Sequence, residues 1–242
     1  VEGDYMAVEG LSISVNGLGV KYVEFARRRL APWGEESNHI ALNEVSFEVG
    51  NGETIGIIGR NGSGKSTLLK CVSGLLRPSE GEIITTGRVI LLAGVNPGFS
   101  NQISGRKNVF ELARAYGVSK DEIDSFVLSV EEFADIGDAF DRNFGGYSTG
   151  MRGKVGFGFI TALEPDILLI DETLGVGDRE FRAKAQIRLR EFISRSGTVL
   201  ISTHSLGLAK ELCNRGLIID NGRIVFDGEI ESSIKHYMEI TE

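Results

Sequence analysis

The chain has 242 residues, of which 41% are hydrophobic and 25% charged, and a formal net charge of -8. That length buries one good-sized core with room for an inserted lobe, and the composition is that of an ordinary globular protein. The acidic balance argues against a nucleic-acid partner, and no uninterrupted apolar run is long enough to cross a bilayer.

In chain order, no secretory leader is expected at the amino end. Val8 to Val15 alternates apolar and polar positions as a strand does, and Val20 to Val23 continues it after Asn16-Gly17. Tyr22 offers a flat face on which a nucleobase can stack, with a packing tyrosine as the plainer reading. The insert from Val23 to Ile40 sets Arg27, Arg28 and Arg29 beside Leu30, Pro32 and Trp33. Such a segment suits a membrane surface or a partner, or is simply solvated. Val45, Phe47 and Val49 alternate again, and Asn51-Gly52 turns the chain into the next strand.

That strand feeds IGIIGRNGSGKSTLLK, residues 55–70. An apolar β-branched run stops at Gly59, a glycine-punctuated loop follows, and Lys65-Ser66-Thr67-Leu68-Leu69 opens a helix. Gly59, Gly62 and Gly64 permit backbone conformations closed to other residues, so successive N–H groups around Asn61 and Ser63 converge on one anion. The helix adds the positive end of its dipole and its unpaired N–H groups. Lys65 is expected on the β- and γ-phosphates, Thr67 nearby, and the Ser66 hydroxyl on Mg²⁺. The alternative is a glycine-rich turn that binds nothing.

Leu68 to Leu76 reads as a buried helix closed off by Pro78, then Glu82 to Thr86 and Arg88 to Leu92 as short strands about Gly87. From Ser104 to Phe144 the periodicity is helical, with Ser119 and Glu122 spaced as a capping box. Tyr147-Ser148-Thr149-Gly150-Met151 then places a serine and a glycine ahead of a helix over 151–162. By itself this is an N-cap; as a second anion site, one chain cannot easily use it on the nucleotide it already cradles, whereas two chains can.

Ile167 to Ile170 is wholly apolar, as in a strand buried on both faces, and ends at Asp171-Glu172. Thr198 to Ser202 ends likewise at Thr203-His204. Polar residues at the carboxyl ends of parallel strands lie where open α/β sheets bind ligands. Asp171 is expected to orient Mg²⁺ through its waters, Glu172 to polarise the attacking water, and His204 to bridge water and γ-phosphate. A helix cap for Asp171-Glu172 and a structural histidine are the alternatives. Asn221-Gly222 marks a hairpin, and Glu229 to Met238 a terminal helix. Cys71 and Cys213 fall in apolar contexts and are expected to be free buried thiols of a reducing compartment.

Taken together, these segments resemble the nucleotide-binding subunit of ATP-binding-cassette transporters. GRNGSGKS (59–66) is similar to Walker A, YSTGM (147–151) to the signature loop, ILLIDE (167–172) to Walker B, and His204 to the switch histidine. LGVGD (174–178) resembles the D-loop, which would carry Asp178 across a dimer, and Tyr22 fits the A-loop aromatic. The signature, the insert after Tyr22, the DET-LGVGD run and SGRKNV further resemble exporters of O-antigen, capsule or teichoic acid precursors.

The resemblance implies an α/β fold. It would have a P-loop NTPase (RecA-like) core, an antiparallel β subdomain and an inserted α-helical subdomain. The core and β subdomain would span 1–95 and 163–242, and the helical signature subdomain 96–162, within one ATPase domain over 1–242. It implies ATP and Mg²⁺, a head-to-tail homodimer, an integral-membrane permease, and a peripheral place on the cytoplasmic face of the inner membrane. No nucleic acid and no appended carbohydrate-binding domain are expected. Ser148 and Gly150 of each subunit would close on the ATP held by the other. An importer ATPase, a soluble cassette ATPase and a non-enzymatic nucleotide switch are the competing readings. The sequence departs from the family pattern at Thr149 and Met151, and where a glutamine usually begins the second lobe it has Gly94 or Val95. Gly153, Gly156 and Gly158 also weaken the helix after the signature, each by up to about 1 kcal/mol relative to Ala, unless close packing requires them.

Overall fold

In the computed structural model the described residues are 10–26, 35–92, 97–171 and 179–241. They divide into two compact units. The first comprises 1–91, 165–172 and 197–242, the second 92–164 and 173–196.

The first unit is built on two sheets. Strands β1 (Leu11–Ala26) and β2 (Glu35–Gly50) run antiparallel, and β4 (Glu80–Thr85) joins the other edge of β1, giving the order β2-β1-β4. Gly17 takes φ +58, and the register shifts between Val15 and Leu18, so Asn16-Gly17 is a bulge inside one strand. The second sheet has the order β5-β6-β7-β3-β8-β9. Its strands are β3 (Thr54–Ile58), β5 (Val89–Leu92), β6 (Ile167–Asp171), β7 (Thr198–Ser202), β8 (Arg215–Asp220) and β9 (Arg223–Glu229). Strands β6, β7, β3 and β8 are parallel neighbours, and β9 returns antiparallel to β8. Every residue of β6 and β7 is buried, as continuous apolar strands covered on both faces must be.

Helix α1 (Lys65–Val72) closes the core of this unit with Leu68, Leu69 and Val72. They pack with Ile13, Val15 and Leu42 of the antiparallel sheet and Ile55, Leu169 and Leu200 of the other. Two further helices, α6 (Leu206–Leu212) and α7 (Ile230–Thr241), complete the unit. Cys71 and Cys213 are buried free thiols, and burial pushes their pKa up to about 11 and about 12.

The second unit holds α2 (Gly105–Ala115), α3 (Ile123–Ala134), α4 (Thr149–Ala162) and α5 (Arg179–Arg195). Its centre is aromatic: the fully buried Phe159 meets Phe99, Tyr116 and Phe126 edge-on at 5.4–5.7 Å between ring centroids. A Cβ on Gly158 would lie 3.1 Å from Phe133 Cδ1, so this glycine lets α3 approach α4. Helix α5 caps both neighbours, Lys184 Nζ donating to the Phe133 carbonyl (2.9 Å) and Arg195 Nη2 to the Thr161 carbonyl (3.0 Å).

Two expectations need correction. The segment read as an insert over Val23–Ile40 is strand at both ends: Val23 to Ala26 pairs with Asn38 to Glu35, so the β1–β2 ribbon continues past Tyr22. The Ser119–Glu122 pair does not form a capping box. The Ser119 hydroxyl donates to the Glu122 carboxylate (2.6 Å), and α3 begins only at Ile123. Arg27 to Trp33 lie outside the described residues.

A phosphate cradle and a capped helix tip

The loop between β3 and α1 is shaped by what its glycines allow. Gly62 and Gly64 take φ +81 and +113. A Cβ on Gly64 would also stand 2.6 Å from the Ala41 carbonyl oxygen. Gly59 is left without a side chain for another reason, since a Cβ there would run into the Ile219 carbonyl and sit 2.6 Å from Ser63 Oγ. Inside the loop the Ser63 N–H donates to the Arg60 carbonyl (3.1 Å). Lys65 is buried with its ammonium folded over the loop, donating to the carbonyls of Gly59 (2.7 Å) and Arg60 (2.9 Å). Ser63 Oγ is buried and has no partner. A glycine-shaped loop leading into a helix N-terminus, a buried lysine and an orphaned hydroxyl together have the chemistry of an anion site.

Parallel pairing sets the neighbouring groups. Ile57, Ser202 and Asp171 share one level, because Ser202 pairs with both of the others, and the loop starts just beyond it. Asp171 is buried at this edge, while His204 stands exposed past the end of β7. Thr203, which precedes His204, is buried; its N–H donates to the Ile57 carbonyl (3.2 Å) and its hydroxyl accepts from the Ser205 N–H (3.0 Å). Helix α1, carrying Ser66 and Thr67 in its first turn, packs on β6 and β7. Tyr22 on β1 is 37% exposed, with its hydroxyl 3.4 Å from Thr67 Oγ1, so its ring lies by the start of α1 and is partly open to solvent. Asn61 is exposed in the loop.

Among the described residues no cluster of three or more His, Cys, Asp and Glu side chains forms a metal cage. The Ser66 hydroxyl and Asp171 carboxylate are hard oxygen donors of the kind that hold Mg²⁺ together with phosphates and waters, so the residues present fit that ion. Glu172 and Asp178 lie outside the described residues, as do Gly94 and Val95.

The second unit presents Ser148 and Gly150 differently. Ser148 is the exposed N-cap of α4, its hydroxyl accepting from the Met151 N–H (3.2 Å). A Cβ on Gly150 would meet nothing nearer than Ser148 Oγ at 3.9 Å, so this tip is open. Side chains fix the tip from behind. Tyr147 is buried and its hydroxyl donates to the Phe140 carbonyl (3.0 Å). Arg152 donates to the carbonyls of Tyr147 (3.2 Å) and Gly145 (3.0 Å) and to Asn101 Oδ1 (2.9 Å), and its guanidinium lies over the Phe144 ring. Arg152 is absent from the sequence reading; its one signal is its place one helical turn after the cap, where a long cation can fold back on the preceding carbonyls.

A profile of the ABC transporter family matches residues 42–175, more than half the chain, from before the cradle to beyond β6. The chain belongs to the ABC transporter family. Among ABC proteins, it is 36% identical over 223 residues to the O-antigen export system ATP-binding protein RfbB of Klebsiella pneumoniae, covering 92% of this chain and 91% of that one. It is 38% identical over 200 residues to the ABC transporter protein AbcA of Aeromonas salmonicida, covering 83% of this chain but 65% of that one. The teichoic acids export ATP-binding protein TagH of Listeria innocua is 38% identical over 202 residues, which is 84% of this chain and 60% of TagH. The chain thus spans about two thirds of AbcA and less of TagH. A solved ATP-binding subunit of an ABC transporter matches with a TM-score of 0.73 at 24% identity, over 95% of this chain and 99% of that one. A dimeric ATP-binding cassette in a post-hydrolysis state with ADP and Pi matches with a TM-score of 0.69 at 20% identity, over 90% of this chain and 98% of that one. The α/β fold with its antiparallel sheet and helical unit is that of the ABC ATPases.

Proposed function

We propose that this chain is the ATP-binding and hydrolysing subunit of an ABC exporter, and that its cargo is a lipid-linked polysaccharide of the O-antigen, capsule or teichoic acid type. The observation that carries the ATPase reading is the phosphate cradle, a backbone-lined loop with Lys65 buried over it at the carboxyl end of β3, between parallel neighbours. The cargo reading is supported by the match to RfbB along 92% of this chain and 91% of that one.

In the proposed cycle Tyr22 stacks the adenine, the amides of Gly62 and of Gly64 to Thr67 and the Lys65 ammonium hold the β- and γ-phosphates, and Ser66 and Asp171 would hold Mg²⁺. Bound there, that ion would neutralise charge on the phosphate groups as the γ-phosphoryl transfers. Lys65 leaves the loop carbonyls it now occupies to follow the γ-phosphate. Glu172 takes a proton from the attacking water, and His204 holds that water against the γ-phosphate. Ser148 and Gly150 present the exposed tip of α4 to the nucleotide of a second copy, with Asp178 crossing the same dimer. Closure on ATP and parting after hydrolysis would drive a permease at the cytoplasmic face of the inner membrane.

Glu172→Gln tests this directly. The variant should still bind ATP and accumulate as a dimer while turnover collapses; undiminished hydrolysis would remove Glu172 from the role. Co-purification with a polytopic membrane protein tests the transport reading, and recovery of only soluble partners would count against it.

A further inference from the structure

The turn between β8 and β9 touches the cradle from outside the loop itself. Asn221 and Gly222 take φ +46 and +76, a tight hairpin turn. The Gly222 N–H donates to the Ser63 carbonyl (3.0 Å), and the Gly222 carbonyl accepts from the Asn43 N–H on β2 (2.8 Å). The two peptide groups that flank Gly222 thus join the antiparallel sheet to the phosphate loop. The approach is tight, since a Cβ on Gly222 would lie 2.7 Å from the Ala41 carbonyl oxygen, the same atom that faces Gly64.

Two features mark this corner as more than a hairpin end. Glu44, next to Asn43, holds φ +54, a left-handed conformation that a non-glycine residue keeps only when its surroundings impose it. Arg223 ties the turn to that strained segment. It lies 3.7 Å from the Glu44 carboxylate, and with the Asn43 amide oriented to satisfy both groups it donates to the amide oxygen from Nη2 (2.6 Å) and Nε (3.1 Å).

The consequence follows from peptide geometry. In a planar trans peptide the C=O and the N–H point in opposite directions. With the Ser63 carbonyl held on Gly222, the Gly64 N–H faces away from the turn. It is the first amide ahead of α1, and a helix cannot satisfy its leading N–H groups itself. Were this peptide to flip, a carbonyl oxygen would face the phosphates and repel them.

We propose that the β8–β9 turn is a positioning element of the phosphate cradle, with Gly222 setting the orientation of the Ser63–Gly64 peptide through its bonds to Ser63 and Asn43. The inference deepens the nucleotide-binding reading and rests on it.

Binding of ATP and of inorganic tripolyphosphate by the full chain tests the proposal. In Gly222→Ala both dissociation constants should rise by about tenfold and by the same factor, the cost of disturbing two hydrogen bonds. Tyr22→Ala, by contrast, should weaken ATP alone. A folded Gly222→Ala protein that binds both ligands like the wild type, or that loses ATP but keeps tripolyphosphate, would overturn the proposal. Amide exchange in the wild-type protein provides a readout independent of that variant's folding. Saturating ADP should slow exchange at the Gly222 N–H by about tenfold, because opening this bond then also costs bound nucleotide. An unchanged exchange rate would refute the coupling. Wild-type protein that takes tripolyphosphate but not ATP would sink the nucleotide reading while Gly222→Ala still decides this one; binding of neither would sink both.

Discussion

The cradle around Lys65 and the helix tip at Ser148 each lie at the N-terminus of a helix, yet they are built from opposite materials. The cradle is almost wholly backbone. Its shape depends on places where a Cβ cannot go, at Gly59 and Gly64, and on carbonyls that Lys65 and Gly222 occupy. The tip is a helix N-terminus with an open, exposed face, and side chains hold it from behind: Tyr147, Arg152 and the Phe144 ring under Arg152. A site made of backbone resists side-chain truncation and fails when atoms are added. A site propped by side chains does the reverse.

The largest effect should therefore come from one methyl group in the cradle. Gly64→Ala combines φ +113 with a Cβ 2.6 Å from the Ala41 oxygen, and should weaken ATP binding by about a hundredfold or more in an equilibrium titration. Near-normal affinity would mean the cradle tolerates what its geometry forbids. At the tip, Ser148→Ala should leave the affinity of a single subunit for ATP nearly unchanged. Turnover and ATP-driven dimerisation should both fall about tenfold, alongside a stability loss of about 1 kcal/mol from the missing cap. If single-subunit affinity fell instead, the tip would be serving its own chain's nucleotide.

Removing the tip's prop should act more weakly. Arg152→Ala takes away the donors to the Tyr147 and Gly145 carbonyls, and turnover should drop severalfold with ATP affinity kept; Arg152→Lys should restore part of it. A matching loss of affinity would contradict the division between the two sites.

The smallest effect concerns the scaffold behind the tip. Arg106 pairs with Glu131 (2.6 Å) and Asp141 (2.6 Å), and its guanidinium holds the Asp141 carboxyl below the usual carboxylate range. A lowered folded-state value means the pair stabilises the fold above the unfolded carboxyl pKa of about 3.9, and that this gain is lost as pH falls through the lowered value. Arg106→Ala should lose less than about 1 kcal/mol per pair at neutral pH, because both pairs are partly exposed. It should also show a shallower acid decline in urea denaturation between about pH 4 and pH 2. An acid limb parallel to the wild type would exclude this linkage.

The cradle was legible in the chain because its requirements are local. Glycines at fixed offsets, a lysine at the first helical position and a β-branched run before them are set by φ and by the reach of one side chain. The same holds for the Asn221-Gly222 hairpin and for the buried strands β6 and β7. Other features were hidden because their causes lie far away in sequence. Glu35 to Asn38 carries no apolar alternation, and it is strand because Val23 to Ala26 lies beside it. Helix α5 has a weak apolar stripe among many arginines and lysines. Two of its basic residues, Lys184 and Arg195, are spent on the carbonyl ends of α3 and α4, which no local pattern announces.

By itself, then, the sequence determined the chemistry each site offers: where a glycine loop leads into a helix that starts with lysine, which positions carry carboxylate and imidazole, and which strands are buried on both faces. These follow from short-range sterics and from hydrophobic period. Only the tertiary structure decided how the sites are held. Gly222 reaches Ser63 across 159 positions, Arg152 turns back on Gly145, and Arg106 gathers two carboxylates from separate elements. A hydrogen bond depends on distance in space, and the chain must fold before its residues have any.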